Sequence, residues 1–152
     1  MAHRRFGLER RQATRRLSRG AESVMVAAMA SSDELRAFAE ALFSTPDGPP
    51  PAERIAWLCE DFHDFVEQAG PRSELIFKGA LFVATWLAPP TIGRRPPLAN
   101  LSLADRSRAL ETMEQTPAGL PLLALKAILC TIYYEDPGAR AEIGVDRPGG
   151  RS

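Results

Sequence analysis

The chain is short of almost everything that marks a free-standing enzyme. It has two cysteines and two histidines in 152 residues. Cys59 and Cys130 are too few for a disulfide framework or a thiolate metal site. Both fall inside apolar helical patterns and read as buried free thiols, because free cysteine packs as a small hydrophobe. No serine sits in a Gly-x-Ser-x-Gly elbow. No glycine-rich phosphate loop or dinucleotide fingerprint is present, and Gly144 and Gly149-Gly150 read as tail turns. The formal net charge is zero, so no global field selects nucleic acid, a membrane surface or an acidic substrate. No apolar run reaches the roughly 18 residues of a membrane span. The nearest, "LIFKGALFVATWLA" (75–88), is interrupted by Lys78. Strand-like alternation and internal repeats are absent as well, which leaves helical periodicity throughout.

What is there is an all-α pattern. The length suits one domain, large enough to bury a core without disulfide or metal staples. Residues 1–20, "MAHRRFGLERRQATRRLSRG", carry seven arginines against one glutamate. They read as a basic arm ahead of a helical domain over 21–146, with a flexible tail over 147–152. Arg15-Arg16 followed by "VMVAAMA" (24–30) also sketches a degenerate twin-arginine signal. Gly20 to Ser23, with Glu22 among them, interrupt that sketch. The compartment stays open between an exported and a cytoplasmic chain.

Five or six helices with proline-bounded loops follow from the periodicity. The first is expected over about 21–44, with a break near Ser31-Ser32 and Leu35, Phe38, Ala39 and Leu42 facing inward. "STPDGPPP" (44–51) ends it. A second helix begins beside Pro51, carries the stripe Ile55, Leu58, Cys59, Phe62, Phe65 and Val66, and stops at Gly70-Pro71. The third spans about 72–88 and ends before Pro89-Pro90. "PPTIGRRPPLAN" (89–100) reads as a rigid extended linker. Ser102 caps a fourth helix with Asp105 three residues on, and Ala109, Leu110 and Met113 form its inner face. After "QTPAGLP" (115–121) comes a fifth, about 119–134, apolar nearly all round. Asp136-Pro137 then has the form of a cap opening a short sixth helix over about 137–143.

Two local patterns could carry chemistry. Glu60-x-x-His63 places a carboxylate and an imidazole on one helical face, as in half of a di-iron site. The only other histidine, His3, lies in the basic arm, so the ligand count fails and a solvated face is expected. The second pattern is "ILCTIYYEDPGARAEIG" (128–144), where an apolar helix stops abruptly in two tyrosines and two acids. Tyrosine can bury its ring while its hydroxyl meets solvent or a partner, so Tyr133 is expected inward and Tyr134, Glu135 and Asp136 outward. Trp57, Trp86, Arg94 and Arg95 are of the types favoured at interfaces. The third and fifth helices are apolar nearly all round, and a domain this small would struggle to cover both. Such a surplus points to a permanent partner. The expected interface residues are Trp86, Arg94, Arg95, Tyr134, Glu135 and Asp136. No catalytic, cofactor-binding or metal residue is assigned.

The stretch "FKGALFVATWLAPPTIGRRPPLANLSLADRSRALETMEQTPAGLPLLALKAILCTIYYEDPGARAEIGVD" (77–146) resembles the gluconate 2-dehydrogenase subunit 3 family. It is also similar to a helical segment fused to some glucose-methanol-choline (GMC) flavoproteins. The matching features are a bulky apolar helix ending in proline, a basic proline linker, the "LSLADRSRALETME" helix, the "LPLLALKAILCTIYYEDP" helix and a closing "AEIGVD". Residues 33–70 match more loosely. The resemblance implies a non-catalytic small subunit that supports the folding, and often the export, of a large GMC-type flavoprotein. FAD and the catalytic base would belong to that partner. The rival readings are an independent helical binding or scaffold module and a carboxylate–histidine metal protein.

Overall fold

A computed structural model describes residues 32–144. The basic arm, the leader-like stretch and the expected first-helix residues 21–31 lie outside them, as do 145–152. The structure is all-α. Helix α1 covers 32–42, α2 Ala52–Ala69, α3 Pro71–Thr91, α4 Leu103–Glu114, α5 Gly119–Tyr133 and α6 Pro137–Glu142, with one 3₁₀ turn at Leu98–Asn100. α3 packs against α2, α4 and α5 and is the hub of the arrangement.

The connections are built by proline and glycine. α1 ends in a tight turn where Thr45 and Gly48 exchange backbone hydrogen bonds of 2.9 Å around Pro46-Asp47. Pro51 stands at the N-cap of α2, without a side-chain cap, and Glu53 lies in the first turn, where the helix dipole favours an acid. A single residue, Gly70, separates α2 from α3. Its φ of 91° is open to glycine without the steric cost a Cβ would impose, so two long helices meet with no loop.

α3 runs one turn further than the sequence suggests. It continues through Pro89 and Pro90 to Thr91. A proline removes an N–H and crowds the carbonyl four residues back, but near a C-terminus it can still accept. Pro89 O takes the N–H groups of Ile92 and Arg94, and Pro90 O takes that of Gly93. Gly93, with φ of 70°, completes a Schellman-type stop. The expected linker over 89–100 therefore shrinks to residues 94–97, which include a cis Pro96–Pro97 bond. Leu98 then drops into the core at 1% exposure.

α4 begins as its sequence requires. The Ser102 hydroxyl accepts the Asp105 N–H at 3.2 Å, and Ala109, Leu110 and Met113 are buried. Arg106 donates to the carbonyls of Leu101 and Ala99 and to Glu40 at 2.9 Å, which ties the 3₁₀ turn and α1 to α4. Glu114 and Lys126 pair between α4 and α5. Gly119 opens α5 against the end of α4. A Cβ there would stand 2.8 Å from the Glu114 backbone, so the close approach of the two helices requires glycine.

The core joins Leu35, Phe38 and Ala39 of α1, Ile55, Leu58, Phe62 and Val66 of α2, and Leu122, Leu125 and Leu129 of α5. Three expected inward residues depart from this. Phe65 is 38% exposed and packs edge-on to Phe77. Leu42 and Cys130 are half-buried. Cys59 is buried, and burial pushes its thiol up to about 11.

Candidate functional site

The corner between α5 and α6 is a closed polar knot. Tyr133 ends α5 on the same face as Leu129 and Ile132 and is buried. Its ring stacks on Phe43 with centroids 3.9 Å apart and planes 10° from parallel. Its hydroxyl accepts from Arg54 Nη1 of α2 at 3.1 Å. The same Nη1 donates to Glu142 Oε1 at 2.9 Å, and Arg54 Nε stands 3.3 Å from Asp136 Oδ1. Asp136 also caps α6, because its Oδ1 accepts the Ala139 N–H at 2.8 Å. The hydrogen bonds to Tyr133 and then Glu142 raise the guanidinium's pKa. One arginine thus joins α2, α5 and α6. Beside it an open cleft of about 470 Å³ is lined by Phe43, Asp47, Pro50, Pro51, Tyr133 and Glu142.

This geometry separates the expected interface residues at the corner. Asp136 is engaged inward by Arg54 and by the α6 cap. Glu135 is exposed. Tyr134 is 37% exposed and lies edge-on to Tyr133 at 5.3 Å. Burial raises its phenol pKa. Arg54 was missing from the sequence reading. Its carboxylate partners lie more than 80 residues along the chain, and positions 50 and 58 are Pro and Leu, so no local i,i+4 pair announces it.

The other expected interface residues stand elsewhere. Arg94 is paired through Nε with Asp105 Oδ2 of α4 at 3.2 Å. Arg95 is exposed. Trp86 is 42% exposed on α3, with Phe82 beside it at 6.1 Å. Trp57 is half-buried. Glu60 and His63 are both exposed on α2. Among the described residues, no group of three or more His, Cys, Asp or Glu gathers where a metal ion could be held. No single helix among them is long and apolar enough to cross a membrane.

The two apolar helices divide their surfaces differently. α5 buries Leu122, Leu125 and Leu129 and turns out a narrow uncharged strip of Leu120, Leu123, Ala124, Ala127 and Thr131, leading to Tyr134. α3 inverts the usual arrangement. Its buried face is mostly small, with Ala80, Ala84, Thr85 and Ala88. Leu75, Ile76, Phe82 and Leu87 are 74, 57, 60 and 50% exposed. No known family model matches the chain, and neither a curated protein nor a solved structure matches it.

Proposed function

We propose that the chain is a non-catalytic accessory subunit that stabilises a large, FAD-containing flavoprotein of the GMC type, a dehydrogenase or oxidase acting on an alcohol or sugar CH–OH group. The observation that carries this reading is the outward strip of α5 ending at Tyr134 and Glu135. It lies within the segment that resembles the small-subunit family, "LPLLALKAILCTIYYEDP", and it is uncharged until its last turn. Fully burying one leucine is worth about 1.5–3 kcal/mol. Leu120 and Leu123 therefore offer a partner an apolar anchor, and Tyr134 and Glu135 a polar rim, the usual order of a stable interface. Arg54 supports this role by holding the corner rigid, so that Tyr134 is presented with little ordering cost on docking.

The test is capture from the native source. A tagged chain should bring down a larger flavoprotein, identified by mass spectrometry and by its yellow flavin spectrum. Capture with no flavoprotein in the eluate would overturn the reading. So would retention of the same flavoprotein by a chain in which Leu120, Leu123 and Tyr134 are all changed to serine.

A further inference from the structure

We propose that the outward face of α3 is the two-fold interface of a homodimer, in which a second copy's α3 packs antiparallel and crosses at Gly79. The inference is independent of the flavoprotein reading, since it concerns a different helix face and a different occupant.

Gly79 is the central observation. It lies in the interior of a 21-residue helix, is exposed, and has no atom of the described residues within 4 Å of where a Cβ would stand. Among the described residues there is therefore no steric reason for glycine. A glycine at an exposed helix interior is destabilising relative to alanine. What it offers is a notch through which another helix backbone can come close, as small residues do where helices pack tightly. The notch sits on the midline of the exposed stripe.

The pattern around it is self-complementary. In an antiparallel pair centred at Gly79, a residue k places before it faces the residue k places after it on the other copy. Ile76 then meets Phe82, and Leu75 meets Val83. Arg72 and Trp86 lie seven residues to either side, nearly two full turns, and so remain on the same face. Arg72 is exposed, and each copy's guanidinium would cover the other copy's indole, a favourable cation–π pairing. Lys78 and Glu74 flank the stripe and pair with each other within each copy, so no like charges oppose. The opposed helix dipoles are favourable as well.

The area is also sufficient. With ordinary side-chain areas, the exposed parts of Leu75, Ile76, Phe82, Trp86 and Leu87 come to roughly 600 Å² on each copy, so full burial by two copies would cover about 1,200 Å², the lower edge of specific interfaces. The size favours a dimer in equilibrium with monomer.

The experiment uses the full chain without any other protein. Sedimentation velocity across a dilution series should give a species of twice the 16.6 kDa subunit mass that dissociates on dilution. The Gly79→Leu variant should keep its helical circular dichroism, because the subunit has room for the side chain, while its dimer dissociation constant rises at least tenfold. The Gly79→Cys variant should form an intermolecular disulfide on mild oxidation, seen as a doubled mass on a non-reducing gel, because the axis passes through that position. The parent chain, with Cys59 and Cys130 as internal controls, should not. A parent chain monomeric at every concentration overturns the proposal. A dimer that Gly79→Leu leaves unchanged and Gly79→Cys fails to cross-link overturns it equally.

Discussion

The α5–α6 corner and the outward face of α3 are opposites. At the corner, the acidic and aromatic groups are answered from within the chain. Arg54 meets Tyr133, Asp136 and Glu142, and Phe43 covers the Tyr133 ring. On α3, large apolar side chains face outward while alanines face the core. The comparison teaches that a residue's type does not report whether its surface is finished. "YYED" has the composition of a docking site, yet two of its four side chains are committed to the fold. "LIFKGALFVATW" has the composition of a core helix, yet it turns half of its bulk outward.

The most damaging change expected at the corner is Tyr133→Ala. It removes a buried ring, the Phe43 stack and one Arg54 partner, and should cost about 3–5 kcal/mol, as large aromatic truncations in cores do. Urea denaturation followed by circular dichroism would measure it. A loss below about 1 kcal/mol would mean that the knot is not structural.

Next in size is Tyr134→Ala. Its ring is partly exposed, so helix content should hold while the affinity for the proposed flavoprotein partner falls by about 2 kcal/mol, roughly 30-fold, if this tyrosine anchors the contact. Titration of immobilised partner with parent and variant gives the number. Equal affinities would reduce the corner to a capped helix end.

On α3, the inner face can be improved. The Thr85 hydroxyl is fully buried and has no hydrogen-bond partner among the described residues. Thr85→Val should therefore stabilise the fold by about 1 kcal/mol, because an unsatisfied buried polar group costs about 1–3 kcal/mol. Thermal melting of the two proteins side by side is the check, and a lower melting temperature for the variant would refute it.

The smallest effects belong to α2. Glu60→Ala and His63→Ala should each shift stability by no more than about 0.5 kcal/mol, the usual size for exposed substitutions. Elemental analysis should find no metal lost with either. A variant that lost stoichiometric metal would revive the half-site.

Much of the chain could be read directly. The caps at Ser102 and Asp136 work through contacts only three residues long, so sequence suffices to find them. Proline was harder to read. Pro89-Pro90 marks the approach of the α3 terminus, but a proline that only accepts can sit inside the last turn, and the N–H groups that close it come from residues 92–94. Phe65 kept its helical spacing and still reached the surface at the edge of its stripe. Arg54 was illegible because its partners are brought to it by the fold.

The amino-acid sequence by itself determined where helices start, stop and turn, because those events depend on hydrogen bonds and backbone angles within a few residues. It also determined that two helices carry more apolar surface than one face needs. Only the tertiary structure decided which side of α3 goes inside. A helix apolar all round has no polar face to orient it, so its periodicity is degenerate. Packing broke the tie through volume: Ala80, Ala84 and Ala88 leave room for close neighbours in the core, and this turned Leu75, Ile76, Phe82 and Trp86 outward.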